Sequence, residues 1–356
     1  MTAPVQTLSR DARAAQDALR RVHGGGTLGA QETQRALEAA LALEDDAPLA
    51  ALLAALAQRG ERGPEIAGAA RALRAAMIRF DPGGSGPTLD TCGTGGDGLG
   101  TFNLSTAAAL VAAGAGARVV KHGGRAVSSK AGSADVLEAL GGRVDVDPAV
   151  AREALDAAGF TFLFAPRYHP GMARAARVRR ALGIRTVFNL AGPLANPAGA
   201  PRQVVGVATE RYVEPMARAL EELGASAALV VHGAGGADEL TLAGAQLARP
   251  VGEAAEGAAH AFAAGAGSLR GIAAAPVERL QGGDSGVNAE LMRAVLRGTE
   301  GPHLDAALVN AAAALTVADT SLGADEALLR AAESVRSGAA ARVLEAWIRV
   351  TSGGAA

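Results

Sequence analysis

One cysteine, Cys92, in 356 residues leaves an internal disulfide without a second thiol and excludes a multi-cysteine metal site. Aromatic residues make up only 3% of the chain, so its core must be built from small aliphatic side chains. An excess of either charge is missing too. The 34 basic and 36 acidic residues leave a formal net charge of −2, which gives no electrostatic footprint for nucleic acid or an anionic membrane. No run of about 18 uninterrupted apolar residues occurs, so no transmembrane helix is expected. The opening stretch MTAPVQTLSRDARAAQDALRR lacks the apolar segment of a secretory signal. A cytoplasmic protein with no membrane and no nucleic-acid partner is the expectation.

Glycine and alanine are what the chain has in quantity. Its 47 glycines and 49% hydrophobic residues suit a soluble globular protein long enough for two domains. Residues 8–80 read as helices only: in ERGPEIAGAARALRAAMIRF, Pro64 stands near a helix start and Ile66, Ala70, Leu73 and Met77 recur at helical spacing. The turn-rich FDPGGSGP, Phe80 to Pro87, marks a boundary. Beyond it, short apolar runs such as TLDTC, RVVKHG, FTFLFAP, QVVGVAT and AALVVHG alternate with helical stretches. That alternation predicts an α/β domain with a mainly parallel central sheet flanked by helices. The expected division is a small all-helical domain over 1–80, with a helical contribution from about 170–190, and an α/β domain over 81–356. The alanine-glycine stretch Gly252–Ser268 reads as irregular or peripheral.

The densest signal is DTCGTGGDGLGTFNLSTAAALV, Asp90 to Val111. A strand runs into a loop without bulky side chains until Leu99, and a helix opens with Asn103, Ser105 and Thr106 at its polar end. Amide N–H groups in such a loop converge on an anion, and a helix N-terminus adds unpaired donors and a favourable dipole. The loop is therefore read as a phosphate or pyrophosphate cradle. It is neither a Walker A loop nor a dinucleotide fingerprint, because the spacing differs from both. The next strand ends in KHGGRAVSSKAGSADVLEALG, where Lys121, His122, Arg125 and Lys130 are interleaved with Ser128, Ser129 and Ser133. Cations beside small flexible residues suit a substrate carrying several phosphates; a solvated basic turn is the other reading. Taken singly, the arginine run Arg174 to Arg180 also reads as a solvated helix face. Likewise Asp238-Glu239 reads as a surface turn, and Cys92 as a small buried residue.

In order along the chain, DTCGTGGDGLGTFNLSTAAA, KHGGRAVSSKAGSADVLEALG, FLFAPRYHPGM, RRALGIRTVFNLAGPLANPAG and HGAGGADEL resemble the successive signatures of the anthranilate phosphoribosyltransferase family. The resemblance implies a helical domain, a larger α/β domain and a homodimer formed through the helical part. It implies Mg²⁺-dependent transfer of a phosphoribosyl group from phosphoribosyl pyrophosphate to the amine of anthranilate, in tryptophan biosynthesis. By motif, Gly93, Gly96 and Asp97 would hold the pyrophosphate loop. Thr101, Asn103, Leu104, Ser105 and Thr106 would meet phosphate or ribose. Lys121, His122, Gly123, Gly124, Arg125, Ala126, Val127, Ser128, Ser129 and Ser133 would close over the donor. Arg179 would hold the acceptor's carboxylate, and Asp238, Glu239 and Ser105 would bind Mg²⁺. No covalent nucleophile is expected, since an aromatic amine is already neutral at pH 7. Two positions depart from the family pattern. Gly124 replaces an asparagine placed beside the acceptor, and Ala191 replaces a leucine. Two other activities remain open at this stage: a related pyrimidine nucleoside phosphorylase, and a non-catalytic paralogue that binds nucleic acid through the anion site.

Overall fold

The computed structural model describes residues 9–126 and 130–353, which form two compact units. One unit comprises the chain up to Met77 together with His169–Ala195; the other comprises Ile78–Tyr168 and the chain from Asn196 onward.

The first unit is helical. Its N-terminal part is α1 (Arg10–His23), α2 (Ala30–Ala42), α3 (Ala47–Arg59) and α4 (Gly63–Ala76). Helix α1 starts where the Ser9 hydroxyl accepts from Ala12 N at 3.1 Å, and Arg20, Arg21 and His23 complement the dipole of its last turn. Helix α4 opens with Pro64 in its first turn, and its Ile66, Ala70 and Leu73 are buried. Glu65, itself fully buried, accepts from Arg62 N and Leu28 N, both at 2.9 Å, and pairs with Arg59. One carboxylate thus ties three turns of this unit together. The returning segment adds helices Ala173–Leu182 and Val187–Ala191.

The second unit is built on a six-stranded sheet. Its strands are β1 (Leu89–Gly93), β2 (Val119–Gly123), β3 (Phe160–Phe164), β4 (Arg202–Gly206), β5 (Ala227–His232) and β6 (Leu247–Gly252), in the order β3-β2-β1-β4-β5-β6. The first five run parallel and β6 is antiparallel to β5. Strand order reverses between β1 and β4, and ligands of such sheets bind beyond the carboxyl ends at that point. The loops after β1 and β4 are therefore the ones to inspect. Most neighbours share five or more registered pairs, but β1 and β2 share one, Leu89 with Val119. The registered pairing of these two strands is confined to their amino ends.

The core of this unit lies against α5 (Leu104–Gly114) and the helix Pro302–Ala318, both buried almost all round. A helix apolar on every face belongs inside, and alanine lets two such helices approach closely. The scarce aromatics act as anchors: Phe160 meets Trp347 edge-on with centroids 6.0 Å apart, and Trp347 is buried. The stretch read as irregular, Gly252–Ser268, contains the helix Glu256–Ala263, whose Ala258, Ala259 and Phe262 are buried in the core. Alanine's helix propensity and one buried phenylalanine outweigh the lack of a polar stripe. Among the described residues, no helix is long and apolar enough to cross a membrane.

Candidate active site

The loop between β1 and α5 turns on Gly95, Gly96, Gly98 and Gly100, which have φ of +63°, +76°, +75° and +65°. A side chain is strained in that region, which is why the chain concentrates glycine here. Contacts on three sides hold the loop. Thr94 N donates to Gly206 O at 2.9 Å and the Thr94 hydroxyl accepts from Ala208 N at 3.2 Å, fastening it to the end of β4. Phe102 N donates to Leu280 O and Gly282 N to Gly100 O, both at 2.9 Å. Asp97 accepts from Leu99 N at 3.2 Å, closing a turn inside the loop.

Asp238 and Glu239, from the segment between β5 and β6, pack against this loop. Gly95 N donates to Asp238 Oδ2 at 2.6 Å, Ser105 N to Glu239 Oε1 at 3.0 Å, and the Thr101 hydroxyl to Glu239 Oε2 at 3.3 Å. The approach depends on glycine at two strand ends. A Cβ at Gly206 would overlap the Asp238 carbonyl oxygen, and one at Gly93 would overlap the Asp238 carboxylate. Glu239 is pushed up to about 8, first by burial and then by the charges of Asp238 and Asp97. Crowded carboxylates and the Ser105 hydroxyl are hard oxygen donors that suit Mg²⁺. Among the described residues, no three His, Cys, Asp or Glu side chains form a ready cage. Mg²⁺ usually completes its octahedron with water and substrate phosphate, so a two-carboxylate site fits.

Lys121 is 1% exposed. Its Nζ donates to Thr91 O and, at 3.2 Å, to the Ser105 hydroxyl, which puts the ammonium under the start of α5. Burial lowers its pKa, while Asp90 and the site's other acidic groups oppose that. Asp90, wholly buried, accepts from His122 N at 3.3 Å and Asn196 Nδ2 at 2.7 Å; burial raises it to about 6. Neither Asp90 nor Asn196 was among the sequence candidates. A carboxylate inside the apolar run TLDTC was the available signal.

The structure separates the remaining candidates. Asn103 and Ser105 border the loop, and Asn103 links two further segments: its Oδ1 accepts from Asn288 at 2.9 Å and its Nδ2 donates to Ala131 O at 3.2 Å. Leu104 and Thr106 are fully buried. Gly123 lies beside Ser133, whose Cβ is 3.7 Å from where a Cβ at Gly123 would stand. Arg125 is not a free cation: it pairs with Asp135 and Glu138 and lies 5.5 Å from the Phe164 ring centroid. Asp135 also accepts from Ala126 N at 2.9 Å and Gly132 N at 2.8 Å, folding this second turn onto the helix that follows. Gly124 has no positive φ, and a Cβ there would meet only Ala165, at 4.0 Å. The turn therefore does not need glycine's left-handed freedom. Val127, Ser128 and Ser129 lie outside the described residues.

Arg179 belongs to the helical unit, on Ala173–Leu182. Its neighbours Arg174 and Arg177 both pair with Asp46. Arg179 is half-buried and, among the described residues, its guanidinium makes no hydrogen bond or ion pair; burial and then Arg185 lower its pKa. A partly desolvated, unneutralised guanidinium is suited to a carboxylate ligand.

Residues 85–341 match the family described as "Glycosyl transferase family, a/b domain", and residues 16–77 match "Glycosyl transferase family, helical bundle domain". The chain is 52% identical over 309 residues to anthranilate phosphoribosyltransferase of Roseiflexus castenholzii, covering 86% of this chain and 89% of that protein. The crystal structure of the Thermus thermophilus enzyme of that name superposes with a TM-score of 0.83 at 43% identity, over 94% of this chain and 99% of that one. The Saccharomyces cerevisiae enzyme, solved in complex with PRPP and Mg, gives a TM-score of 0.82 at 27% identity, over 96% and 98%. The chain belongs to the anthranilate phosphoribosyltransferases, with the helical-bundle and α/β domains of the glycosyl transferase family.

Proposed function

We propose that this protein transfers the phosphoribosyl group of phosphoribosyl pyrophosphate to the amine of anthranilate, releasing pyrophosphate, in tryptophan biosynthesis. The observation that carries the reading is the convergence of the glycine loop, the start of α5, buried Lys121 and the Asp238-Glu239 pair at the strand-order reversal. The relatives' names and the ligands of the yeast structure supply the substrates.

In the reaction, the lone pair of the anthranilate nitrogen forms a bond to ribose C1. The C1–O bond to pyrophosphate breaks with its electrons leaving on oxygen, and the nitrogen then loses a proton. Positive charge builds on the sugar and negative charge on the leaving oxygens, so the useful catalyst is a fixed set of donors around the diphosphate. The loop amides, the Ser105 hydroxyl and Lys121 supply donors. Asp238 and Glu239, with Ser105, would hold Mg²⁺, which neutralises phosphate charge when bound. Arg179 holds the acceptor's carboxylate and so aims the neighbouring amine. Following the family, the protein works as a homodimer through the helical unit, in the cytoplasm.

The test mixes purified protein, Mg²⁺, phosphoribosyl pyrophosphate and anthranilate, and follows the loss of anthranilate fluorescence. Turnover that EDTA abolishes supports the reading. Its absence, with phosphorolysis of thymidine in its place, sinks it. Arg179→Ala should raise the anthranilate KM about 10- to 100-fold, the worth of a charge-assisted hydrogen bond, with the donor KM nearly unchanged. Equal losses for both substrates would remove Arg179 from the acceptor site.

A further inference from the structure

Neighbouring strands without a continuous ladder leave backbone groups unpaired, and in the interior each must find another partner. Beyond Leu89 with Val119, β1 and β2 share no registered pair. Two side chains bridge the gap instead. From β1, the Asp90 carboxylate accepts from His122 N of β2 at 3.3 Å; from β2, the Lys121 ammonium donates to Thr91 O of β1. A third residue locks the bridge: Asn196 Nδ2 donates to Asp90 Oδ2 and to Val120 O, both at 2.7 Å. Its Oδ1 accepts from Ala198 N at 2.9 Å, which fixes which way the amide faces.

Asp90 and Asn196 are buried and their polar atoms are committed inside the protein, Asp90 to His122 N and Asn196, and Asn196 to Asp90, Val120 O and Ala198 N, so neither is a substrate ligand. An ionisable group this deep in a sheet is costly unless paired, and a merely structural link between two strands does not require one. What the carboxylate adds is placement. It stands on the residue before Thr91 and accepts from the amide of the residue after Lys121, so its bridge fixes the two strand positions between which the Lys121 head reaches Thr91 O and the Ser105 hydroxyl. We propose that Asp90, oriented by Asn196, is a positioning residue for the transferase reaction: it bridges the gap between β1 and β2 and so fixes Lys121 beneath the diphosphate of the donor. This rests on the activity proposed above, yet it concerns donor binding, which can be read without turnover.

The experiment titrates phosphoribosyl pyrophosphate with Mg²⁺ into the full-length protein by calorimetry and, in parallel, measures both KM values. Asp90→Asn keeps the size of the side chain, removes the charge and sets an amide donor where donors already point. The expected result is a donor Kd and KM raised about tenfold or more, with the anthranilate KM within about twofold and a single cooperative melt. Asn196→Ala leaves the carboxylate in place but frees its orientation. It should show the same split at smaller size, and it carries the test if Asp90→Asn does not fold. A variant whose two KM values move together, or do not move, while wild type turns over, overturns the inference and leaves the activity standing. Donor binding that weakens as expected in a protein without turnover upholds the inference and overturns the activity. A wild-type protein that does not bind the donor overturns both.

Discussion

Gly124 shows how one residue can alter a site without altering the fold. The anthranilate phosphoribosyltransferase pattern has asparagine there, and the backbone would accept it: φ is not positive and a Cβ would meet nothing closer than Ala165 Cβ at 4.0 Å. What this chain lacks is a carboxamide, not a conformation. Gly124→Asn should therefore lower the anthranilate KM about 2- to 10-fold, the net worth of one hydrogen bond. The donor KM should not change. An anthranilate KM that stays put, measured with saturating donor, would mean that position 124 does not reach the acceptor. Arg125 teaches the opposite lesson. It reads in sequence as a cation free for phosphate, yet its guanidinium pairs with Asp135 and Glu138 on the following helix.

At the scale of elements, the loop after β1 is only as useful as the strand ends that let Asp238 reach it. Gly206→Ala would drive a methyl into the Asp238 carbonyl oxygen, which belongs to backbone and cannot swing aside. Overpacking of this kind costs about 1–3 kcal/mol, and here it displaces the carboxylates as well. The variant should melt several degrees lower and lose most of its transferase rate; a wild-type rate would show that the segment can shift freely. Gly257 is the converse case: it is exposed inside the helix Glu256–Ala263, with nothing within 4 Å of a Cβ and no positive φ. Gly257→Ala should stabilise by about 0.5–1 kcal/mol in a denaturant titration. Five parallel strands were legible because each is a short apolar run bounded by glycine or a helix pattern. Strand β6 was not, since an edge strand carrying Arg249 and Pro250 has no clean alternation. The glycine loop and its acidic partner were legible as motifs. Asp90 and Asn196 were not, because 106 residues separate them and only the fold brings them together.

At the scale of the whole molecule, the buried carboxylates tie stability to pH and to the metal. Glu239 is raised to about 8 by burial and neighbouring acids, and Asp90 to about 6 by burial. In the unfolded chain both would titrate near their ordinary values of about 4, so from there up to pH 8 the folded state binds more protons than the unfolded state. The contribution of these two groups to stability is full below about pH 4 and is lost as pH rises through 6 and 8. His169, lowered by burial, works in the other direction, but only below about 6.5, its ordinary value. In the window from about pH 6.5 to 8 the raised Glu239 lowers stability as pH rises, and Lys121, lowered by burial, opposes it. In EDTA, the melting temperature should decline across that window. Excess Mg²⁺ favours the ionised pair, and a ligand at about 100 times its Kd stabilises by about 2.7 kcal/mol. The decline should flatten with Mg²⁺, so the metal-induced rise in melting temperature should be larger at the alkaline end of the window than at its start. Parallel melting curves with and without Mg²⁺ across the window would separate Glu239 from the metal and return the Asp-Glu pair to a structural role. Glu239→Gln removes the titration but keeps an acceptor for Ser105 N, and should abolish both the pH slope and the Mg²⁺ difference.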